Sequence, residues 1–218
     1  ILDLKEVPEH LLIVGGGYIG LEFGQMFRRF GAKVTLLERG NRLMPKEDDD
    51  VCEVMSEIFK EEAIDVLVNS EAIKFEKQGK DQIQVHIKGP DGTHNVACTH
   101  VLIASGRKPQ TTDLGLELTE VTCDDKGHVE VNDRLETKAE GIYALGDVKG
   151  GPAFTHISYN DHVVVTDNLL NGGKQRIRGR MVPYCMFTDP QLGRVGITES
   201  DAIEQQLDYL VAKIPMKN

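Results

Sequence analysis

Short apolar runs alternate with amphipathic stretches at the start of the chain. Residues 11–14 and 34–37 are apolar runs, and the large apolar side chains between them recur every three or four positions. Short apolar runs are typical of buried strands, and the spacing of three and four is typical of a helix. The pattern predicts strand, helix and strand, with the helix ending at Gly31. The helix has an apolar face made of Ile19, Phe23, Met26, Phe27 and Phe30.

The same pattern extends to about residue 104. A second amphipathic helix is predicted to begin in the acidic cluster 47–50, whose charges suit a solvated helix start, and a strand follows at 65–68. Alternating apolar and polar positions then predict a three-stranded antiparallel meander over 73–98 and a buried strand at 101–104. The fold class is therefore α/β: a Rossmann-like domain with a parallel sheet plus a three-stranded antiparallel meander.

The pattern beyond residue 110 is less regular. It predicts further elements: a hairpin at 123–131, a strand at 141–147, a helix at 156–170, strands at 181–187, 195–197 and 207–214, and a helix at 198–206 with Thr198 as its N-cap. The strand at 141–147 runs into Gly146-Asp147, which can present a carboxylate to a ribose or ribityl hydroxyl.

A glycine-rich turn joins the first strand to the first helix. Gly15 permits the tight turn, Gly17 allows the backbone to approach a pyrophosphate, and Gly20 allows the helix to pack closely on the strand. The free N–H groups of the helix N-terminus favour the negative charge of the phosphates. Glu38 lies 18 residues after Gly20, at the end of the second strand, where a carboxylate accepts from the adenosine ribose. The alternative is a glycine turn that binds nothing.

Composition narrows the function classes. A formal charge of −10 argues against binding to nucleic acid or to an anionic membrane, and no apolar run approaches the length of a membrane span. The four cysteines are far apart and form no CxxC pair, which favours reduced thiols in a cytoplasmic protein. The acidic cluster 47–50 has no accompanying histidine, so we expect no metal site.

Five sequence motifs indicate a resemblance to a known family. They are VGGGYIGLE at 14–22, VTLLE at 34–38, IASGRKP at 103–109, GIYALGDV at 141–148 and VPYCMFTDPQLGRVGITE at 182–199. With these motifs the chain resembles the class I pyridine nucleotide–disulfide oxidoreductases, which include dihydrolipoamide dehydrogenase and mercuric reductase. The resemblance implies an NAD(P)-binding domain at 1–109, a central FAD-domain segment at 110–181 and the start of a dimerisation domain at 182–218.

The resemblance also implies roles for individual residues. Tyr18 matches the residue that covers the nicotinamide pocket, Glu22 matches the carboxylate near the nicotinamide, and Gly106 would lie against the dinucleotide. The full NAD set that it implies is Gly15, Gly17, Tyr18, Ile19, Gly20, Glu22, Glu38, Arg39 and Gly106. The FAD set that it implies for the longer protein is Gly146, Asp147, Phe154, Thr155 and His156, with Asp147 on the ribityl chain.

Two parts of the family's layout are not in this chain. No cysteine pair has the family's spacing of four, and the C-terminal histidine is absent, so we expect no catalytic residue here and a fragment of a longer, homodimeric protein. The implied activity is transfer of hydride from NADH to FAD and on to a disulfide or metal ion. Alternatives are a stand-alone NAD(H)-binding module without catalysis, and a flavoprotein of the NADH oxidase or ferredoxin reductase type. Glu38 favours NADH over NADPH, although Arg39 and Arg42 could host a phosphate.

Overall fold

The computed structural model describes residues 1–214. These residues form two compact units. The first unit contains residues 1–106 together with 185–192 and 197–214. The second unit contains residues 107–184 and 193–196.

The first unit has the α/β fold that the sequence predicts. Its elements are β1 (His10–Val14), α1 (Tyr18–Arg29), β2 (Lys33–Leu37), α2 (Asp49–Glu61), β3 (Asp65–Leu67), β4 (Glu71–Gln78), β5 (Gln82–Gly89), β6 (Gly92–Cys98) and β7 (His100–Ile103). A four-stranded parallel sheet has the order β3-β2-β1-β7, and β4, β5 and β6 form the antiparallel meander. Both predicted sheets are confirmed.

The parallel sheet is covered on both faces. Ile13 and Leu36 lie on the face that packs against the helices, in one cluster with Phe59 of α2. Leu12 and Leu37 are chain neighbours of these two residues and lie on the opposite face of the sheet. They pack in a second cluster with Val85 of the meander. Because successive strand residues point to opposite faces, a strand buried on both sides must be apolar throughout. This accounts for the continuous apolar run at 11–14 and the largely apolar run at 34–37, where the one polar residue, Thr35, is buried with its hydroxyl 2.9 Å from the Nε2 of His10.

The apolar face predicted for α1 is wrong in one respect. Met26 and Phe30 are exposed, and Ile19 is 40% exposed, whereas the buried positions of α1 include Gly20, Leu21 and Gly24. A Cβ added at Gly24 would lie 3.3 Å from the Cδ1 of Ile13. The helix therefore contacts the sheet partly through its glycines, at closer range than large side chains allow. Leu21 and Phe27 are also buried, whereas Ile19, Met26 and Phe30 lie on the outer side. The end of the helix is as predicted, since Gly31 follows it with φ +101.

The second unit is built mainly from turns around one long helix. The helix α3 spans Thr155–Leu170, one residue longer than predicted, and the predicted hairpin is reduced to a single bridge between Cys123 and Val129. The predicted strand at 141–147 is not formed. Tyr143 makes one isolated bridge to Glu136, and Gly146–Lys149 is a 3-10 helix. Positive φ angles at Gly141 and Gly146 interrupt the extended backbone that a strand requires.

The remaining elements are short. They are β8 (Tyr184–Met186), β9 (Leu192–Arg194) and α4 (Glu199–Glu204), and the two strands pair with each other. Thr198 caps α4 as predicted, in a reciprocal capping box with Asp201. The strand predicted at 195–197 is wrong, because Gly196 has φ +86 and the strand lies earlier, in β9. The strand predicted at 207–214 is also wrong, since that segment is exposed and pairs with no strand among residues 1–214.

His10, the first residue of β1, is a buried histidine within the first unit. Its Nε2 lies 2.9 Å from the hydroxyl of Thr35, and its side chain is only 8% exposed. Burial lowers the pKa of His10 below the ordinary value, and the charge of Lys33 lowers it further. The folded state therefore holds His10 neutral at a pH where the unfolded chain already protonates it.

We predict that the free energy of unfolding falls as the pH drops below about 6.5, and that His10→Gln reduces this fall. The depressed pKa means that the unfolded state binds the proton first, so the stability conferred by neutral His10 is present above pH about 6.5 and lost below it. Urea denaturation at several pH values between about 7 and 5 measures the effect. The same pH dependence in His10→Gln and the unaltered chain would contradict this prediction.

Candidate functional site

The glycine turn after β1 is a close contact between three segments. Gly15 has φ +115, and a Cβ there would lie 2.5 Å from the carbonyl oxygen of Ala104, just after β7. A Cβ at Gly20 would lie 2.0 Å from the carbonyl oxygen of Gly15. Neither position can hold a larger residue without moving the backbone. These two glycines bring the N-terminus of α1 to the carboxyl ends of β1 and β7, where ligands bind in open α/β sheets.

Gly17 differs from the other two glycines. Its φ is −87°, an angle that any residue adopts, and no atom lies within 4 Å of the place where its Cβ would be. It is the N-cap of α1, with no side-chain hydrogen bond to the first turn. The fold itself thus does not require glycine here. The open space at the N-terminus of the helix fits the close approach of an anionic group such as a pyrophosphate.

Glu38 is held against this turn. Its Oε2 accepts a hydrogen bond from the N–H of Gly16 at 2.8 Å, and its Oε1 accepts one from the N–H of Gly40 at 2.6 Å. A carboxylate has about four lone-pair sites, so both oxygens can accept further bonds from hydroxyl groups. The structure thus brings the predicted acid and the predicted glycine turn together, and fixes the orientation of the carboxylate.

The two arginines after Glu38 are in different situations. Arg39 is exposed. Arg42 forms an ion pair with Asp49 at the start of α2, and its guanidinium also donates to the carbonyl oxygen of Glu47 at 3.4 Å. Asp49 raises the pKa of Arg42. The guanidinium of Arg42 is thus already engaged by an anion.

The first turns of α1 carry the other residues predicted for this site. The hydroxyl of Tyr18 donates to the Oε1 of Glu47 at 3.0 Å, and Glu47 is only 3% exposed. The interpretation of the acidic cluster as a solvated helix start is therefore wrong for Glu47. Its partner Tyr18 is 29 positions away, and no local sequence signal indicates this contact. Ile19 is partly exposed beside this pair.

Glu22 lies one turn further along α1. Its Oε1 accepts from the N–H of Phe187 at 2.8 Å. Gly106, at the end of the first unit, is exposed with φ +129 and has open space beside it. Its backbone conformation alone explains why glycine occurs there.

The second unit brings most of the residues predicted for FAD to one cavity of about 600 Å³. Its lining includes Gly146, Asp147, Phe154 and Thr155, and also Arg107. The Nη1 of Arg107 lies 2.8 Å from the Oδ2 of Asp147. His156 stacks on Phe154 with ring centroids 5.4 Å apart. Arg107 belongs to a motif already recognised in the sequence, but its pairing with Asp147 spans 40 positions and was not predicted.

Asp161 organises the wall of this cavity and was missed by the sequence analysis. It is fully buried, and its Oδ2 accepts from the N–H of Gly146 at 2.9 Å. Lys149 lies 3.3 Å from the same oxygen, and Arg180 lies 2.5 Å from the other. One carboxylate thus binds two cations and the backbone of the Gly146-Asp147 turn. Only the helical position of Asp161, on the inner face of α3, could have suggested this role.

A larger cavity of about 870 Å³ lies elsewhere in the first unit. It is bounded by residues 4–9, 75–77, 80–83 and 99–100, and contains none of the predicted site residues.

Within residues 1–214, no helix has both the length and the apolar character needed to cross a membrane.

The fold and the glycine turn have the pattern typical of dinucleotide-binding α/β domains, and comparison with known proteins gives the family. The family model described as pyridine nucleotide-disulphide oxidoreductase matches residues 1–161, and the model of that family's dimerisation domain matches residues 182–218. The chain therefore belongs to the pyridine nucleotide-disulphide oxidoreductase family. The resemblance inferred from the motifs is confirmed.

Individual relatives agree with this assignment. The chain is 41% identical over 217 residues to the probable pyridine nucleotide-disulfide oxidoreductase RclA of Escherichia coli, covering 99% of this chain and 48% of that protein. It is 37% identical over 216 residues to a mercuric reductase of Staphylococcus aureus, covering 99% of this chain and 39% of that protein. The chain thus spans less than half the length of these relatives.

The solved structures show the same relationship. A structure of the HOCl-induced flavoprotein disulfide reductase RclA from Escherichia coli superimposes with a TM-score of 0.85 at 42% identity, over 93% of this chain and 46% of that one. LpdA from Mycobacterium tuberculosis superimposes with a TM-score of 0.85 at 29% identity, over 94% of this chain and 44% of that one. The α/β fold is therefore that of the flavoprotein disulfide reductases.

We predict that Asp161→Ala lowers the free energy of unfolding by about 3–5 kcal/mol, because it leaves Lys149 and Arg180 as buried charges without their carboxylate. Urea denaturation of the chain measures the loss. The control is Asp133→Ala, whose carboxylate lies 3.9 Å from the exposed Arg178 and should cost less than about 1 kcal/mol. Equal effects of the two substitutions would contradict the role given to Asp161.

Proposed function

We propose that this chain supplies the NAD(H) site and part of the flavin site of an FAD-dependent NADH oxidoreductase. The observation that carries the proposal is the open space at Gly17, at the N-terminus of α1 and near the oriented carboxylate of Glu38, which binds the N–H of Gly16. Nothing in the packing of residues 1–214 requires glycine at that position, so the small residue is explained by a ligand that approaches the backbone.

Within this proposal each part of the chain has a role. Residues 1–109 bind NAD(H), residues 110–181 form the central segment of the FAD domain, and residues 182–218 begin the dimerisation domain of a homodimer. The match of 182–218 to the family's dimerisation domain supports the last assignment. The four free thiols and the absence of disulfides among them are in keeping with a cytoplasmic protein.

The residues of the NAD site act by binding and orienting. Gly15 and Gly20 hold the turn, Gly17 admits the pyrophosphate, and the helix N-terminus stabilises its charge. Glu38 accepts from the adenosine ribose, with Arg39 beside it. Tyr18, Ile19 and Glu22 face the nicotinamide end, with Tyr18 held in place by Glu47. Gly106 lies against the dinucleotide.

The second unit supplies residues suited to the flavin. Bound FAD would accept hydride from NADH and pass the electrons to a second acceptor. Asp147 would accept from a ribityl hydroxyl, with its carboxylate oriented by Arg107. Phe154, Thr155 and His156 lie at the N-terminus of α3, whose helix dipole favours negative charge on a neighbouring group. Gly146 is fixed by the buried Asp161.

The final electron acceptor is a disulfide or a metal ion. Both classes appear in the names of the relatives, which include a flavoprotein disulfide reductase and several mercuric reductases. NADH is preferred over NADPH as the donor, because Glu38 would repel a phosphate on the 2′ position of the ribose.

We predict that Gly17→Ala lowers the affinity of the chain for NADH at least about tenfold, because the added methyl group occupies the space needed by the pyrophosphate. Its cost in folding stability should not exceed about 1 kcal/mol, the difference between glycine and alanine at an N-cap. Isothermal titration calorimetry with NADH measures the affinity, and urea denaturation measures the stability.

The matched control for Gly17→Ala is Gly193→Ala. Gly193 also has no atom within 4 Å of its Cβ position, and it lies in β9, outside the dinucleotide motif of the sequence. Gly193→Ala should bind NADH as the unaltered chain does. An unchanged NADH affinity in Gly17→Ala would show that the turn does not meet the pyrophosphate, and would overturn the proposed site.

We predict that Glu38→Gln shifts the NADH/NADPH affinity ratio toward NADPH by about fivefold or more, because it removes a negative charge worth about 1 kcal/mol against the 2′-phosphate. Glutamine keeps an acceptor oxygen for one of the N–H groups of Gly16 and Gly40, so the turn is disturbed less than by alanine. Calorimetric titration with each dinucleotide gives the ratio. The same ratio in Glu38→Gln and the unaltered chain would refute the assignment of Glu38 to the ribose.

A further inference from the structure

Phe187 is an exposed aromatic residue whose two neighbours in the chain are buried. Met186 is fully buried in the core cluster of the first unit, and Thr188 is only 2% exposed. The hydroxyl of Thr188 donates to the carbonyl oxygen of Pro190 at 2.9 Å. Between them, the side chain of Phe187 is 73% exposed. Its exposure therefore does not arise from a loose loop.

Polar side chains of α1 hold this segment from Phe187 to Asp189. Glu22, Gln25 and Arg29 lie at positions i, i+3 and i+7 of the helix and share one face. Gln25 is only 4% exposed, accepts from the N–H of Asp189 at 2.7 Å and donates to its carbonyl oxygen at 2.8 Å. Arg29 binds the carboxylate of Asp189 at 2.7 Å.

Glu22 completes the set by accepting from the N–H of Phe187 at 2.8 Å. This bond places the base of the aromatic side chain directly beside the carboxylate. Glu22 lies one helical turn beyond Tyr18, at the end of α1 that faces the glycine turn. The helix that carries the dinucleotide motif therefore also sets the position of an exposed aromatic ring. Binding residues commonly occupy such loops on rigid scaffolds.

We infer that Phe187 contacts the nicotinamide end of bound NAD(H) and contributes to its affinity. This inference rests on the proposed function, which assigns Glu22 to the nicotinamide. A flat phenyl ring offers a stacking or edge contact to the nicotinamide ring, worth about what aromatic pairs contribute in proteins. Phe187 is thus a second wall of the pocket, supplied by the segment that matches the dimerisation domain.

The test compares two ligands on the same chain. NADH carries the nicotinamide, whereas ADP-ribose has the adenosine, both phosphates and the second ribose but no nicotinamide. Phe187→Ala should weaken NADH binding about three- to tenfold and leave ADP-ribose binding unchanged. Phe187→Tyr, which keeps the aromatic ring, should bind NADH as the unaltered chain does. Isothermal titration calorimetry provides both affinities.

Phe30→Ala is the matched control, since Phe30 is 61% exposed and lies at the opposite end of α1. It should bind both ligands normally. Equal weakening of NADH and ADP-ribose in Phe187→Ala, no weakening of NADH, or the same weakening in Phe30→Ala would overturn the inference. If the unaltered chain binds ADP-ribose but Phe187→Ala does not change the affinity for NADH, the proposed dinucleotide site is retained and only the role of Phe187 is refuted. If the unaltered chain binds neither ligand, the proposed function itself is overturned.

Discussion

The contact between Gly20 and the carbonyl oxygen of Gly15 is the constraint on which the first unit depends. The space between them excludes even a methyl group. This contact allows α1 to lie directly on β1, with Gly24 against Ile13 one turn later. It also places the N-terminus of α1 at the carboxyl edge of the parallel sheet, where the helix dipole favours an anion. The packing of the helix and the chemistry of the site are therefore consequences of the same small residues.

The same helix anchors a distant part of the chain. Glu22, Gln25 and Arg29 on one face of α1 bind the segment from Phe187 to Asp189. The start of α2 binds a second segment, at the N-terminus of α4. Asp48 accepts from the N–H groups of Glu199 and Ser200, both at 3.0 Å, at the N-terminus of α4. A carboxylate in that position satisfies N–H groups that have no partner within the helix and interacts favourably with its dipole. Residues that match the dimerisation domain are thus tied by hydrogen bonds to both α1 and α2.

Sequence reasoning succeeded where structure follows from neighbouring residues. The strands β1 and β2, the meander, the capping box at Thr198 and the glycine turn all carry their signals within a few positions. It failed where a segment depends on a distant partner. Residues 207–214 pair with no strand of the described chain. The strand predicted before Asp147 failed for a local reason, because Gly141 and Gly146 turn the backbone. The outer face of α1 was misjudged because apolar spacing does not show that glycines make the closer contact.

The sequence by itself determined the α/β class, the dinucleotide motif and the acid at Glu38, because each depends on the spacing and size of neighbouring residues. Only the tertiary structure decided which charged and aromatic side chains are buried. Glu47 is enclosed through Tyr18, Asp161 is enclosed between Lys149 and Arg180, and Phe187 is exposed although both its neighbours are buried. These environments arise from contacts across as many as 165 positions. The free energy of burying a charge or exposing a ring is set by such contacts, which no local pattern contains.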